Sequence, residues 1–146
     1  MKIHVHFVDD SRVFIASVKR ALSGAGRKSL RGEPVEFSFE GFSSPGEYKT
    51  AILSSLIRAP DVILLDLSMH GDDRAGIDLA KPVRDLYPSA KIIMFTLMDD
   101  AETVTACMNA GVDNFDLVQI RPFSGNSSRG RTNACPKQTL IGAAFS

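Results

Sequence analysis

Three acidic side chains and one hydroxyl stand where apolar runs of the sequence end. Asp9 and Asp10 follow the first run, Asp66 closes the third, and Thr96 closes the fourth. If these runs are parallel strands, their ends lie along one edge of a sheet, so the side chains converge. Three converging carboxylates repel one another, and a bound hard cation with oxygen ligands relieves that repulsion. Mg²⁺ suits such a site because it binds one or two carboxylates and keeps positions for water and phosphate oxygens.

This set of groups is suited to phosphoryl transfer. An ionised Asp beside Mg²⁺ is a competent nucleophile toward phosphorus and yields an acyl phosphate. The hydroxyl of Thr96 can then hydrogen-bond to the phosphoryl group. The alternative is that the Asp residues only cap helices, as Asp10 would at the first helix. Capping leaves Asp66 unexplained, because that residue follows a run of four apolar residues.

The elements that must position these groups alternate along the chain. Short apolar or period-two runs predict five strands, and stripes of helical spacing predict four helices between them. The predicted strands cover 3–8, 35–39, 61–66, 91–96 and 112–120, and the predicted helices run from Ser11 to Gly24, Ser44 to Pro60, Gly76 to Leu86 and Asp99 to Gly111. This alternation predicts a doubly wound α/β fold with a five-stranded parallel sheet.

Composition narrows the functional class. The 146 residues suffice for one ordinary domain, and 17 basic residues balance 17 acidic ones, so the whole chain has no electrostatic drive toward nucleic acid or anionic membrane. We find no apolar run of membrane-spanning length and no signal peptide. Two cysteines, Cys107 and Cys135, are too few for a disulfide framework. We therefore expect a reduced, cytoplasmic protein that contacts neither membrane nor nucleic acid directly.

Four separated motifs resemble the receiver domain of bacterial two-component response regulators. They are Phe7-Val8-Asp9-Asp10-Ser11, the segment 61–69 with the sequence DVILLDLSM, the segment Ile92-Ile93-Met94-Phe95-Thr96, and the segment 109–115 with the sequence NAGVDNF. The likeness covers about residues 1–118. It implies a flavodoxin-like sheet with the strand order 2-1-3-4-5 and a receiver domain over residues 1–120.

The resemblance also implies a phosphorelay switch, which catalyses only its own phosphorylation and dephosphorylation. Asp66 would accept a phosphoryl group from a histidine kinase, Thr96 would contact that group, and Phe115 would be the aromatic that moves with the switch. The Mg²⁺ ligands would be Asp9, Asp10, Asp66 and the backbone carbonyl of Ser68. A downstream protein or a missing output domain would receive the signal.

Three positions depart from the family pattern. The phosphate-binding Lys expected seven residues after Gly111 is missing, and Arg121 could replace it if the last strand carries a bulge. The alternative for Arg121 is a solvated basic residue. His70 stands where Pro is common, and it is either an exposed loop residue or a group that tunes access to the site. Leu97 is larger than the family's usual residue, which would narrow access to Asp66.

The segment 121–146 is an atypical tail rich in Gly, Ser and Arg, in which we find no fifth helix. Surface left uncovered by a missing helix would favour a homodimer. Together with the missing Lys, this tail supports an alternative function, a degenerate receiver that binds proteins without phosphorylation. A phosphohydrolase with an Asp nucleophile is disfavoured, because Ser68 stands where such enzymes place a second acid. His4 and His6 form an i, i+2 pair that could bind metal, or serve a structural role.

Overall fold

The computed structural model describes residues 1–24, 28–96 and 100–117. Its elements, in chain order, are β1 (Lys2–Val8), α1 (Arg12–Ser23), β2 (Glu36–Phe42), α2 (Pro45–Leu53), β3 (Val62–Asp66), α3 (Ala75–Leu86), β4 (Lys91–Thr96), α4 (Ala101–Asn109) and β5 (Asn114–Leu117). The strands form one parallel sheet in the order β2-β1-β3-β4-β5. The predicted fold and strand order are confirmed. Leu97, Arg121 and the segment 121–146 lie outside the described residues. The expectation that this segment forms no fifth helix therefore stays a prediction.

Helices cover both faces of the sheet. On one face, α1 packs Phe14, Val18 and Leu22 against strand residues such as Phe7 and Phe95. The rings of Phe7 and Phe14 meet edge to face, with centroids 5.2 Å apart. On the other face, α2, α3 and α4 enclose a second apolar cluster against β1, β3 and β4. Burial on both faces explains why β3 and β4 read as continuous apolar runs. None of the helices in this part of the chain is long and apolar enough to span a membrane.

Several predicted element ends are wrong, including the start of β5, which is Asn114 rather than residue 112. Helix α2 ends at Leu53 rather than near Pro60, because Ser54 closes the last turn and Ser55 adopts a left-handed φ of 55°. Leu56, predicted to continue the helix stripe, is therefore 89% exposed. Helix α4 is capped by Asp100 rather than Asp99, since the Asp100 carboxylate accepts a 2.8 Å hydrogen bond from the N–H of Thr103. Strand β2 continues past the predicted range to Phe42.

Helix α1 begins after Ser11, whose hydroxyl accepts a 3.2 Å hydrogen bond from the N–H of Phe14. Ser11, where the predicted helix begins, thus caps α1, and Asp10 does not cap this helix. Helix α2 begins in the same way, with the Ser44 hydroxyl accepting from the N–H of Glu47 at 3.0 Å. The interpretation of Asp10 as a helix cap is therefore wrong, and its carboxylate is available for another role.

Arg84, near the end of α3, joins two loops that precede strands. Its guanidinium donates to the backbone carbonyl of Gly111 at 3.0 Å and 2.8 Å, to that of Ala90 at 2.6 Å and to that of Pro88 at 3.1 Å. It also pairs with the Asp113 carboxylate. One side chain therefore links α3, the loop before β4 and the loop before β5, at the amino ends of the strands.

His6 lies in the apolar interior rather than in a metal site. Its Nδ1 is 3.0 Å from the hydroxyl of Tyr48, and its ring contacts the rings of Phe42, Tyr48 and Tyr87 edge to face. Within residues 1–24, 28–96 and 100–117, no cluster of three metal-ligating side chains includes His4 or His6. The structural role proposed for His6 therefore fits the contacts.

Gly76 allows α3 to approach the end of β3 closely. Its N–H donates to the carbonyl of Leu67 at 2.9 Å. A Cβ atom at this position would overlap the carbonyl oxygen of Asp66 and lie 2.9 Å from the Cα of Leu67. Both neighbours are backbone atoms at the carboxyl end of β3, so they cannot move aside without shifting Asp66. Glycine here is required by packing.

We expect Gly76→Ala to destabilise the protein by about 1–3 kcal/mol, because the added methyl group overpacks the junction of α3 and β3. Gly46→Ala is the matched control, since Gly46 occupies the same second position of α2 and its Cβ would meet only the Ser44 hydroxyl, at 4.0 Å. That control should be neutral or stabilising by up to about 1 kcal/mol. Urea unfolding measures both, and equal effects would contradict the packing argument.

We expect the protein to become less stable at acidic pH because of His6. Burial lowers the pKa of His6 to about 4 from its ordinary value of 6.5, against a smaller opposing effect of the Arg58 backbone. Between about pH 6.5 and pH 4, His6 is therefore protonated in the unfolded chain but mostly neutral in the folded protein. Because the unfolded state binds the extra proton, the free energy of unfolding falls as the pH decreases toward 4. We expect a loss of about 2 kcal/mol from this group.

The measurement is urea unfolding of the wild type and of His6→Gln from neutral pH down to about pH 4. The variant should be less stable at neutral pH and should show a shallower decline, because it lacks the titrating ring. Other groups titrate alike in both proteins and cancel in the difference. Parallel pH profiles would show that His6 does not carry this dependence.

Candidate functional site

The order of the strands brings the acidic residues together. Val8, the last residue of β1, pairs with Leu65 of β3, so Asp9 and Asp66 follow directly at neighbouring strand ends. One carboxylate oxygen from each of Asp9, Asp10 and Asp66 lies within 4.8 Å of the others. The structure thus brings together the three carboxylates that the sequence analysis places at one sheet edge. We refer to Asp9, Asp10 and Asp66 as the acidic cluster.

Burial differs across the acidic cluster. Asp9 is 1% exposed, Asp66 is half-buried and Asp10 is exposed. Main-chain N–H groups orient the two carboxylates that follow β1. Asp9 Oδ1 accepts from the N–H of Ser11 at 2.8 Å, and Asp10 Oδ2 accepts from the N–H of His70 at 3.0 Å. The cluster therefore combines a deep, fixed carboxylate with two that solvent can reach.

The donor set fits a hard cation. All three side chains offer carboxylate oxygens, which Mg²⁺ and Ca²⁺ prefer, and their spacing allows one ion to contact more than one of them. Ser68 lies two residues beyond Asp66 in the loop that precedes α3, and its hydroxyl is 3.3 Å from Asp73 Oδ1. The backbone carbonyl of Ser68 thus belongs to the loop that leaves the acidic cluster.

Thr96 ends β4 beside the acidic cluster. Phe95 is the register partner of Asp66, and the N–H of Leu67 donates to the carbonyl of Phe95 at 2.9 Å. The pairing of β3 with β4 therefore continues to the strand ends and holds Thr96 next to the Asp66 segment. Thr96 is 4% exposed. This placement agrees with the sequence-based expectation that Thr96 stands at the same edge as Asp66.

Phe115 lies farther away, on β5. It pairs with Met94 of β4, is half-buried, and packs against the apolar cluster beneath α2, α3 and α4. It is thus one strand beyond Thr96, on the strand that pairs with β4. The other predicted phosphate contact, Arg121, lies outside the part of the chain that the structure describes.

The contacts of His70 are not foreseen in the sequence. The residue is exposed, as one of the two alternatives supposes, yet its N–H donates to Asp10 and its Nε2 lies 2.9 Å from the carbonyl oxygen of Ser43. His70 has a φ of 52° and Gly71 has a φ of 79°. Gly71 is the sequence signal that a search for tight turns would have used, because glycine adopts positive φ without steric cost.

The loop between β2 and α2 is braced beside His70. The Glu47 carboxylate accepts from the N–H and the hydroxyl of Ser43 at 2.7 Å and 2.8 Å. These bonds to Ser43 lower the pKa of Glu47. Ser44 and Glu47 occupy the two positions of a capping box, and here the Glu reaches one residue farther back than that motif requires. The carbonyl that faces His70 is therefore held in place.

The comparisons of this chain with known proteins agree on one family. The chain matches the response regulator receiver domain family over residues 43–117. It is 31% identical over 117 residues to the response regulator protein VraR of Staphylococcus aureus (strain NCTC 8325 / PS 47), covering 80% of this chain and 50% of that protein. It is 29% identical over 115 residues to the nitrate/nitrite response regulator protein NarL of Escherichia coli K12, covering 79% and 47%. The chain spans about half the length of the curated relatives it matches.

Solved structures share the fold. The Vibrio cholerae chemotaxis protein CheY4 superposes with a TM-score of 0.66 at 20% identity, covering 99% of this chain and 98% of that one. A two-component response regulator from Clostridium difficile superposes with a TM-score of 0.63 at 18% identity, covering 82% and 85%. At these identities the likeness concerns the fold, and it confirms the flavodoxin-like arrangement.

The acidic cluster should respond to magnesium in thermal unfolding. At about ten times its dissociation constant, Mg²⁺ should stabilise the wild type by about 1.4 kcal/mol and raise the melting temperature by roughly 4 °C. Asp10→Asn should melt at an equal or higher temperature than the wild type in EDTA, because one like charge is removed, and Mg²⁺ should change it little. Differential scanning calorimetry measures both effects.

Asp85→Asn is the matched control, because Asp85 is an exposed acid in the last turn of α3 and lies outside the acidic cluster. It undergoes the same change of charge and should keep the full response to Mg²⁺. If Mg²⁺ stabilised Asp10→Asn as much as the wild type, the ion would be bound elsewhere.

Proposed function

This chain belongs to the response regulator receiver domain family, and we propose that it accepts a phosphoryl group on Asp66 from a phosphorylated histidine kinase. The observation that carries the proposal is the convergence of Asp9, Asp10 and Asp66 within 4.8 Å at the ends of β1 and β3. Asp66 is the half-buried member of this set and ends a central strand. It is therefore both accessible to a donor and held on a rigid element.

The proposed reaction is a phosphoryl transfer. A carboxylate oxygen of Asp66 bonds to phosphorus while the bond between phosphorus and the donor's imidazole nitrogen breaks, and the imidazole takes up a proton. The product is an acyl phosphate, which water hydrolyses to inorganic phosphate and the free carboxylate. The module would thus catalyse only its own phosphorylation and dephosphorylation.

Asp9 and Asp10, with the backbone carbonyl of Ser68, are proposed to hold Mg²⁺ next to Asp66. When bound, the ion neutralises charge on the phosphoryl oxygens and offsets the repulsion within the acidic cluster. Asp9 is suited to this part because its burial and the Ser11 N–H fix its position. The protein's own contribution is therefore to keep several carboxylates close together where the phosphoryl group arrives.

Thr96 and Phe115 are proposed to transmit the change. Thr96, at the end of β4, would donate its hydroxyl to a phosphoryl oxygen and shift toward Asp66. Phe115 pairs with the same strand through Met94 and is only half-buried, so it has room to repack when β4 moves. Arg121 remains a proposed substitute for the missing Lys.

The partners follow from the same proposal. A histidine kinase would supply the phosphoryl group, and a downstream protein or an output domain would respond to the altered surface. Response regulators are also the class to which the curated relatives belong by name. A receiver that binds proteins without phosphorylation is less well supported, because the acidic cluster and Thr96 are all in place at one sheet edge.

Intact-mass measurement tests this function. With Mg²⁺ and phosphoramidate, the wild type should gain the mass of one phosphoryl group, as the P–N bond breaks and ammonia leaves with a proton. Asp66→Asn should gain none, because an amide oxygen is a poor nucleophile. Asp85→Asn, which changes the same group on the surface of α3, should be modified like the wild type.

Absence of an adduct on the wild type would favour the binding module over the phosphorylated switch. An adduct that persists in Asp66→Asn would place the acceptor on another residue. Omission of Mg²⁺ should slow the reaction strongly, since the repulsion between the acidic cluster and the donor phosphate is then not offset.

A further inference from the structure

We propose that the tight turn Met69–Asp72 positions Asp10 for cation binding, and that His70 is the positioning residue within it. This inference rests on the proposed function of the acidic cluster. It concerns one of the positions at which the sequence departs from the family pattern, His70 where Pro is common. The turn lies in the loop between β3 and α3, immediately beyond Asp66 and Ser68.

The turn is closed by two main-chain hydrogen bonds. The N–H of Met69 donates to the carbonyl of Asp72 at 3.1 Å, and the N–H of Asp72 donates back to the carbonyl of Met69 at 3.0 Å. The two central residues, His70 and Gly71, both have positive φ, at 52° and 79°. Positive φ at both central positions is the signature of a type I′ turn, a rigid two-residue connection.

This turn places the N–H of His70 on Asp10. The bond to Asp10 Oδ2 is 3.0 Å long and links residues 60 positions apart in the sequence. Asp10 is exposed, and an exposed carboxylate without a fixed donor samples several rotamers. A hydrogen bond from a rigid turn reduces that freedom before a cation arrives, so less entropy is lost on binding.

The imidazole braces the turn from the other side. Nε2 of His70 lies 2.9 Å from the carbonyl oxygen of Ser43, and a carbonyl only accepts, so Nε2 is the donor. Ser43 is itself bonded to the Glu47 carboxylate and lies 3.4 Å from the Arg12 guanidinium. The turn is thus fixed between Asp10 and the loop that precedes α2.

The conformation explains which residues position 70 tolerates. Proline has a fixed negative φ and no N–H, so it can neither adopt this turn nor donate to Asp10. Asparagine tolerates positive φ, favours type I′ turns before glycine and keeps the N–H. Histidine is therefore compatible with this turn. Its main-chain N–H has a hydrogen-bond partner in Asp10, and its side chain has one in Ser43.

The experiment measures Mn²⁺ binding by the loss of the free-ion EPR signal, with competition by Mg²⁺. Mn²⁺ is a suitable probe because it accepts the same carboxylate and carbonyl oxygens. His70→Pro should raise the dissociation constant roughly tenfold, as expected for loss of a hydrogen bond to a charged group. His70→Asn, which keeps the turn and the N–H, should raise it by no more than about threefold.

Ser55→Pro is the matched control, because it separates a general loss of stability from a specific loss of cation binding. Ser55 is exposed and has a φ of 55°, close to that of His70, and it lies between α2 and β3 at the opposite end of the strands. It should lose a similar amount of stability in urea and keep the wild-type affinity for Mn²⁺. Equal affinities of His70→Pro and the wild type, or equal losses in His70→Pro and Ser55→Pro, would overturn the positioning role.

Failure of the proposed function would give a different combination of binding and phosphorylation results from failure of this inference. A wild type that binds no Mn²⁺ and gains no phosphoryl group would overturn both proposals. A wild type that binds Mn²⁺ and is phosphorylated, with His70→Pro unchanged in affinity, would overturn only the role of the turn.

Discussion

Repulsion among like charges is the constraint around which this protein is organised. Three carboxylates lie within 4.8 Å of one another at the ends of two central strands, where their mutual repulsion opposes folding. The strands that carry them are buried on both faces, and the apolar clusters on either side hold those strands in register. Main-chain N–H groups of Ser11 and His70 orient two of the three carboxylates. The core thus stabilises a charged edge that would not form by itself.

Much of this arrangement can be predicted from the sequence, because it depends on periodicity. Continuous apolar runs identify β3 and β4 as central strands, and parallel topology then places Asp66 and Thr96 at one edge. Ser11 and Ser44 are recognisable caps because their hydroxyls precede helical stripes. These features are local, and the physical preferences that produce them act within a few residues.

The remaining features depend on contacts between distant segments. Helix α2 ends because Ser55 adopts a left-handed φ, and a serine in the sequence does not indicate that conformation. The bond from His70 to Asp10 joins two loops, and nothing near either residue in the sequence indicates it. The closeness of Gly76 to the β3 backbone likewise becomes visible only when the helix and the strand are both in place. Such tertiary contacts escape analysis by pattern, and two of them, the His70–Asp10 bond and the close approach of Gly76, lie beside the candidate site.

The hydrogen bonds of Arg84 lie at the end of the sheet opposite the acidic cluster. Its guanidinium fastens α3 to the segments that enter β4 and β5, at the edge remote from Asp66. At the acidic edge, hydrogen bonds of His70 reach Asp10 and Ser43, and one from the N–H of Ser11 reaches Asp9. The described bonds of Arg84 involve no residue of the acidic cluster, so a substitution in that cluster leaves this network intact.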